Sequence, residues 1–283
     1  MIDLAALAER YRRDGFVHAR GLLPRAEVEA LAPFVDEAVA RRKANDTRAL
    51  DEKSPYEQSF IQCQYVWEDF PGVGGLTFHR TLGAALGALL GAEKVRLWQD
   101  QALYKEAGGR ETEAHQDHAY WPIAEADTIT AWIPLCAVGH DTGCMGYVPG
   151  SHRAELEFVD IFRTPGAGHA LMARQAAEPV YCPAEPGDVL FHHGRTIHMA
   201  KPNHSAHMRR AYTGIFFKDG CTRSSDRPHA SVDRDAIPVG GRIGGGATPV
   251  VWPLADGERP QPAPWPQVDS ERMRIIRRLG VIP

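Results

Sequence analysis

The sequence lacks long apolar segments and lacks the order of residues that marks a secretory leader. Its apolar stretches, such as residues 86–92, fall well short of the about 18 residues that a membrane-spanning helix needs. Residues 1–16 alternate apolar with charged side chains, whereas a signal peptide places a basic segment before an apolar one. The sequence therefore predicts a globular chain with no membrane partner.

Paired cysteine motifs and an excess of basic residues are also missing. The five cysteines, at positions 63, 136, 144, 182 and 221, form no CxxC motif, and their odd number leaves at least one outside any intramolecular disulfide. This usage favours a reducing compartment and predicts a cytoplasmic protein. With 32 Lys and Arg against 36 Asp and Glu, the formal net charge is −4, so no nucleic-acid partner is expected. The oligomeric state stays open.

What the chain does have is length and apolar content. It has 283 residues, of which 43% are apolar, and this is enough to bury a large core. Residues 1–93 are predicted to be mostly helical, because apolar residues recur at helical spacing near residues 4–14, 24–39 and 82–90. The polar stretch 40–58 has no such period and is predicted to be a surface loop.

The period of the pattern changes at residue 94. Short segments rich in aromatic and β-branched residues follow, and turn signals separate them, which is typical of a sandwich or barrel. The predicted strands cover residues 95–104, 128–134, 146–149, 189–191 and 211–217. Because the helices precede the strands instead of alternating with them, the predicted fold class is mainly β with flanking α-helices. We expect a single domain over 1–283, with its β core at 94–221.

The sharpest chemical signal is the run Ala114-His-Gln-Asp-His-Ala-Tyr-Trp-Pro122. If this run is a strand, His115 and Asp117 face the same side. The best candidate for a third ligand is His198, which follows a Pro-Gly-Asp turn and a strand. Two histidines and one carboxylate with open positions are the ligand set of non-haem Fe(II) oxygenases. Arg209 opens the next strand, and a guanidinium binds a carboxylate at two points.

Several alternatives to these assignments stay open. The same ligands suit Zn²⁺, so a cupin-type metal-binding barrel with a non-oxidative or non-catalytic role is the second function class. His118 faces away from the metal side of a strand, which favours a structural role. His192 and His193 compete for the third ligand position, but they lie in an apolar strand where a satisfied core histidine is the commoner case. Arg210 competes with its neighbour but faces the opposite way.

The ordered set of motifs resembles the phytanoyl-CoA dioxygenase family of Fe(II)- and 2-oxoglutarate-dependent oxygenases, over roughly residues 5–221. Besides the His-Gln-Asp motif, the resemblance rests on His198, Arg209, Gly15-Phe-Val, Gly21-Leu-Leu, Ala131-Trp132, Gly143-Cys-Met-Gly-Tyr-Val-Pro-Gly-Ser-His152, Asn203 and Ser205. It implies a double-stranded β-helix, or jelly-roll, core with N-terminal helices and a metal at one mouth.

The resemblance also implies roles for individual residues. By position, His115, Asp117 and His198 would bind Fe(II), and the reaction would use 2-oxoglutarate as co-substrate and O₂ as oxidant. Further co-substrate contacts would come from Arg209, which would bind the distal carboxylate, and from Gln101, Lys105 and Trp132. The expected reaction hydroxylates an unactivated C–H bond of a small or medium-sized metabolite and releases succinate and CO₂.

The sequence departs from the family pattern at Ala200 and keeps it at Asp117. Relatives often have a serine two residues after the distal histidine, where this chain has Ala200. Related halogenases lose the metal-binding carboxylate, whereas Asp117 is present, so halogenation is not expected. A clear cluster for CoA or phosphate is missing, which favours a small-molecule substrate of other chemistry.

The segment 222–268 differs from the rest of the chain. It has eight prolines and six glycines in 47 residues, so it cannot be mostly helix or central strand. It also has too many apolar residues, among them Trp252 and Leu254, for a free linker. We expect this arm to pack back over the β core, either as a lid at the metal pocket or as a static belt on the surface. The arm region 222–283 is predicted to end with a short basic helix at Ser270–Leu279.

Overall fold

The computed structural model describes residues 2–154, 157–161 and 163–265. Within these residues the α-helices are α1 (Leu4–Asp14), α2 (Arg25–Arg42), α3 (Pro55–Ser59), α4 (Val66–Asp69), α5 (Gly74–Thr77), α6 (Arg80–Leu90), α7 (Ala167–Met172) and α8 (Ala230–Asp233). The strands are β1 (Phe16–Ala19), β2 (Ile61–Gln64), β3 (Val95–Lys105), β4 (Thr112–His115), β5 (Thr128–Pro134), β6 (Met145–Tyr147), β7 (Val180–Cys182), β8 (Val189–His193), β9 (His198–Ala200), β10 (Arg209–Lys218) and β11 (Val250–Trp252).

The N-terminal helix shows how local chemistry sets an element's bounds. The Asp3 carboxylate accepts a hydrogen bond from the backbone N–H of Ala6 at 3.0 Å and caps α1 at its start. Gly15 ends the helix with φ at 81°, a left-handed conformation that glycine adopts without steric strain. Between these ends, Leu7 and Tyr11 lie on the buried face. The predicted helix at residues 4–14 is therefore confirmed.

The strands form two antiparallel sheets. In the described residues, the major sheet has the order β1-β8-β5-β10-β3-β11, with β2 also paired to β3, and the minor sheet has the order β4-β9-β6-β7. Trp132 and Leu190 of the major sheet pack with Cys144 and Tyr147 from the minor-sheet side, so the sheets face each other. This confirms the predicted fold class, a mainly β jelly roll with flanking helices.

Each face of the major sheet packs against a different hydrophobic cluster. Along β5, Ile129, Ala131 and Ile133 pack with residues of α1, α2 and α6 in the largest hydrophobic cluster. The alternate residues Thr130 and Trp132 point to the other face, toward the minor sheet, and line a cavity there. The helices thus cover the outside of the major sheet and leave the space between the sheets for a functional site.

The prediction of a surface loop over residues 40–58 is wrong in part. Helix α2 continues to Arg42, and α3 begins at Pro55. Its start is a capping box, in which the Ser54 hydroxyl accepts from the Glu57 backbone N–H at 3.3 Å and the Glu57 carboxylate accepts from the Ser54 N–H at 3.0 Å. The residues Ser54-Pro-Tyr-Glu57 are typical of such a helix start, although the segment lacks an apolar period.

The described part of the arm packs on the β core, as expected. Strand β11 pairs with β3 at the sheet edge, with Val250 opposite Arg96. Val232 and Ile243 share a hydrophobic cluster with Phe217 of β10. The helix predicted at 270–279 lies outside the described residues. No helix in the described ranges is both long and apolar enough to cross a bilayer.

Candidate active site

Three predicted metal ligands converge between the two sheets. His115 ends β4, His198 begins β9, and the two residues are register partners in the minor sheet. Asp117 starts a single 3₁₀ turn over 117–120. The ligand atoms of the three side chains all lie within 4.8 Å of one another. The prediction that His115 and Asp117 share a strand is wrong, because the chain turns after β4 and this turn brings the carboxylate to the imidazole.

The hydrogen bonds of the two histidines direct their lone pairs to one point. His115 Nδ1 lies 2.8 Å from the carbonyl oxygen of Glu113, and His198 Nδ1 lies 3.0 Å from that of Thr196. Each Nδ1 therefore donates, and each Nε2 keeps a free lone pair. The Nε2 atoms lie 3.5 and 3.6 Å from Asp117 Oδ1. Two ring nitrogens and a carboxylate oxygen that face one another in this way fit a bound cation.

The two oxygens of the Asp117 carboxylate have different partners. Oδ1 faces the ligand histidines, whereas Oδ2 accepts from the Thr130 hydroxyl at 3.0 Å and lies 3.2 Å from His192 Nε2. Such partners orient a ligand and increase its affinity for metal. His192 therefore supports the metal site without belonging to the ligand set, a role that we did not predict.

The protonation states of the ligands also suit a metal. Burial alone would raise the pKa of Asp117, but the surrounding histidines, His198 foremost, hold it well below its usual range. Burial lowers the pKa of His198 well below its usual range, although the Asp117 carboxylate acts to raise it. An ionised carboxylate and neutral imidazoles are the forms that bind metal ions.

Arg209 places a buried positive charge in the same cavity as the three ligands. Its side chain is 3% exposed and has no ion-pair partner among the described residues. One Nη donates to the carbonyl of Leu103 at 3.2 Å, the guanidinium lies 5.5 Å from the Trp132 ring centre, and Nε has no partner. Burial lowers the pKa of Arg209 to about 10, so it is still charged at neutral pH. A buried cation without a counter-charge favours an anionic ligand.

The neighbouring arginine has a different environment. Arg210 donates to the Asp36 carboxylate at 2.6 Å, near the protein surface. Its charge is therefore already paired by the protein. This difference favours Arg209 over Arg210 as the group that meets a co-substrate carboxylate.

Of the three other residues predicted to contact the co-substrate, two line the cavity and one does not. Gln101 and Trp132 line the cavity with the ligands. Lys105 is fully buried and does not appear among the residues that line the cavity. Its ammonium donates to the carbonyl of Arg110 and lies 3.4 Å from the Thr112 hydroxyl. The structure thus brings two of these three residues to the site, and their roles stay predictions.

The cavity extends well beyond the metal ligands. Its volume is about 590 Å³, and much of its wall is aromatic, with side chains from several parts of the chain. Among them are Tyr56, Phe60, Tyr120, Trp121 and Phe158. Strand β2 adds Gln62, and the arm, for which a place at the metal pocket was one of the two expectations, adds residues 227–230. A cavity of this size, apolar with a few polar groups, is typical of a small-molecule site.

A sequence model of the phytanoyl-CoA dioxygenase (PhyH) family matches residues 11–211. The chain belongs to the phytanoyl-CoA dioxygenase family. The Fe(II), 2-oxoglutarate and O₂ on which the family's oxygenases depend are therefore its cofactor and co-substrates, and the site at His115, Asp117 and His198 suits the iron.

Two curated relatives of this phytanoyl-CoA dioxygenase family member illustrate its sequence similarity. It is 29% identical over 219 residues to 1-deoxypentalenic acid 11-beta-hydroxylase of Streptomyces exfoliatus, over 72% of this chain and 76% of the relative. It is 31% identical over 125 residues to a probable alpha-ketoglutarate-dependent hypophosphite dioxygenase of Stutzerimonas stutzeri, over 42% of this chain and 43% of the relative. The chain thus spans less than half of the second relative.

Solved structures of the same class have similar folds. The non-heme alpha ketoglutarate dependent carbocyclase SnoK from nogalamycin biosynthesis matches with a TM-score of 0.72 and 28% identity, over 87% of this chain and 95% of that one. The epimerase SnoN, in complex with Fe³⁺, alpha ketoglutarate and nogalamycin RO, matches with a TM-score of 0.70 and 26% identity, over 88% and 98% of the two chains. Proteins with this fold therefore catalyse different reactions, here a carbocycle formation and an epimerisation.

Proposed function

We propose that the protein is a dioxygenase that hydroxylates an unactivated C–H bond of a small or medium-sized metabolite, with release of succinate and CO₂. The observation that carries this proposal is the unpaired, buried guanidinium of Arg209 in the cavity that holds the metal ligands. A barrel that only stores a metal has no need of this charge. A 2-oxoglutarate enzyme needs it to bind the distal carboxylate of the co-substrate.

The residues divide the work of the reaction between them. His115, Asp117 and His198 would hold Fe(II), which together with 2-oxoglutarate and O₂ supplies the oxidising power. Thr130 and His192 hold the carboxylate in place through its second oxygen. The cluster of aromatic side chains excludes water from the bound substrate, as this chemistry requires.

The first experiment separates an oxygenase from a storage barrel. Fe(II) and 2-oxoglutarate are added together without oxygen, and the visible charge-transfer band of their chelate is recorded. The proposal expects a band that needs both additions and disappears when Zn²⁺ replaces Fe(II). A protein that binds iron but gives no band with 2-oxoglutarate would support the cupin-type alternative.

The second experiment identifies the reaction. Metabolites are screened for succinate release that depends on the added compound, and the product is examined by mass spectrometry. Gain of one oxygen atom is the result expected for hydroxylation. Loss of two hydrogen atoms would assign cyclisation or desaturation, and an unchanged mass would assign epimerisation, so either result would replace the hydroxylase proposal. This readout matters because the structural relatives include a carbocyclase and an epimerase.

A further inference from the structure

A histidine of the arm has an unused hydrogen-bond donor at the cavity. The ring of His229 lines the cavity and stacks on Trp98, with ring centres 4.4 Å apart and planes 29° apart. Its Nδ1 accepts from the backbone N–H of Ser231 at 3.3 Å. Burial, together with the charges of Arg223 and Arg227, lowers the pKa of His229 to about 3, so the ring is neutral. A neutral ring with an accepting Nδ1 carries its proton on Nε2.

The backbone around His229 is held by a buried ion pair. Arg223 is 4% exposed and donates to the carbonyls of Ser225 at 2.9 Å and Ile237 at 2.7 Å. The same guanidinium lies 2.9 Å from Asp233 Oδ1, and Asp233 Oδ2 accepts from the His229 backbone N–H at 2.8 Å. These bonds fix the imidazole at the cavity wall, although the surrounding segment has little regular structure.

Two strand residues of the same cavity also have polar atoms without a partner. Gln99 and Thr213 are 4% and 1% exposed, and both line the cavity. Neither Gln99 Oε1 nor Thr213 Oγ1 makes a hydrogen bond within the described residues. The Ser231 hydroxyl donates to the carbonyl of Trp98 at 2.6 Å, which places the arm beside Gln99. Buried polar atoms of this kind are stabilised when a ligand supplies the missing bonds.

The strand register relates these groups to the metal ligands. Thr130, which donates to the ligand Asp117, lies opposite Ile215 on β10, and Ile215 lies opposite Gln99 on β3. Adjacent strands are about 4.8 Å apart, so Gln99 lies about 10 Å from Thr130 along the sheet. An apolar side chain, Ile215, lies between them. A molecule that spans this distance can have one end at the metal and the other at the polar groups.

We propose that His229 and Gln99 recognise an uncharged oxygen function of the substrate, a ketone or a hydroxyl, on an apolar ring body that lies over Ile215. This assignment rests on the proposed oxygenase function and narrows its substrate class. The Nε2–H of His229 donates to the substrate oxygen, and Gln99 Oε1 accepts from a hydroxyl. Neither side chain offers a charge, and Arg227 of the same cavity is already engaged by the carbonyl of Ala119 and the ring of Phe158, so an ionised carboxylate or phosphate is disfavoured at this end of the cavity.

The test compares four small probes of one ring body: tetralin, 1-tetralone, 1-tetralol and tetralin-1-carboxylate. The protein is loaded with Zn²⁺ and 2-oxoglutarate so that no turnover occurs, and affinities are measured by ligand-observed NMR. One neutral hydrogen bond predicts that 1-tetralone and 1-tetralol bind about 3- to 10-fold more tightly than tetralin. The carboxylate is expected to bind most weakly.

Variants assign the preference to individual residues. His229→Phe keeps a ring on Trp98 but has no N–H, and it is expected to remove the advantage of 1-tetralone while leaving tetralin unchanged. His229→Gln keeps a donor and is expected to restore part of that advantage. Gln99→Leu keeps the volume and is expected to reduce the advantage of 1-tetralol over tetralin while leaving that of 1-tetralone unchanged. It provides a second test should His229→Phe not fold.

The outcomes separate this inference from the proposed function. The Fe(II)–2-oxoglutarate band is recorded on the wild type and on each variant, and it is expected to be the same in all. If the wild type shows no band, the oxygenase proposal fails. If the band is present, the inference is overturned by any of three results: no preference for the oxygenated probes, tightest binding of the carboxylate, or a ketone preference that survives His229→Phe.

Discussion

The two ends of the cavity are built in different ways. At the metal end, His115 and His198 are partners in a β-ladder, and Asp117 is held by Thr130 of a third strand. Elsewhere the wall includes Phe158, Asp160 and Ile161, which lie in a connecting segment, and residues 227–230 of the arm. Segments of the second kind vary in sequence without disturbing a sheet. We infer that the sheets determine the chemistry, whereas the connecting segments, together with Gln99 of β3, determine the substrate.

The largest expected effect comes from removing a ligand at the metal end. Even the partners of metal ligands contribute about 10- to 100-fold to metal affinity, so Asp117→Ala should weaken Fe(II) binding by more than about 100-fold. Equilibrium dialysis with Fe(II) under nitrogen measures this loss. Asp141→Ala, at an exposed acid, is the control. Wild-type iron occupancy in Asp117→Ala would show that the carboxylate is not a ligand.

The next effect concerns the co-substrate. Arg209→Lys keeps the charge but loses the two-point contact, and a charge-assisted bond contributes about 1.5–3 kcal/mol, so 2-oxoglutarate should bind about 10- to 150-fold more weakly. Arg210→Lys is the matched control, because that side chain is bound to Asp36. Titration of the chelate band gives both dissociation constants. Greater sensitivity at Arg210 would reverse the assignment of the two arginines.

A smaller effect is expected from the hydrogen bond that orients the carboxylate. Thr130→Val keeps the shape of the side chain and removes the donor to Asp117 Oδ2, whereas His192 stays in place. We expect Fe(II) affinity to fall about 10-fold, at the lower end for such partners. Thr248→Val, at another fully buried threonine, serves for comparison. Equal iron affinities in the two variants would mean that the hydroxyl has no part in metal binding.

The smallest effect should come from the substrate end and should spare the metal. Arg227 donates to the carbonyl of Ala119 at 2.7 Å and lies 5.3 Å from the Phe158 ring centre, so it joins the arm to the cavity mouth. Since an exposed cation–π contact contributes about 0.5–1 kcal/mol, Arg227→Gln should raise substrate-free 2-oxoglutarate consumption about 2- to 5-fold. Fe(II) and 2-oxoglutarate affinities should not change.

The control for this variant is Arg41→Gln, which removes a comparable contact with Phe70 elsewhere on the surface. Succinate formation without substrate is followed for both variants. An unchanged rate in Arg227→Gln would favour the arm as a static belt and would count against a lid at the mouth.

The metal end of the cavity could be predicted from the sequence to a greater extent than the rest of its wall. His115, Asp117, His198 and Arg209 stand in ordered motifs, so their types and spacing were enough to predict that they meet in one cavity, and their roles stay predictions. The long strands β3, β5 and β10 were also found, because aromatic and β-branched residues mark them over seven to eleven positions. Strands of three or four residues, such as β7 and β9, were mostly missed, because they are too short for a period to show.

Long-range contacts explain the remaining misses. His192 has the pattern of a core histidine, and its bond to Asp117, 75 residues away in sequence, depends on the pairing of β8 with β5. His229 lies in a segment with no period, and its place at the cavity follows from the backbone hydrogen bond that it donates to Asp233 and from the stacking of its ring on Trp98. Only the packed fold brings such residues together.

The pairing of β11 with β3 has a consequence for biosynthesis. A nascent chain contains every metal ligand and Arg209 well before Val250 is added, about 40 residues later. At about 5–20 residues per second, this interval lasts about 2–8 seconds. A polypeptide that ends within this interval has the candidate metal ligands but lacks β11, the strand that pairs with Val95 and Arg96 at the edge of the major sheet. That stretch of β3 would then be free to pair with a strand of another chain, so addition of β11 removes a site of aggregation.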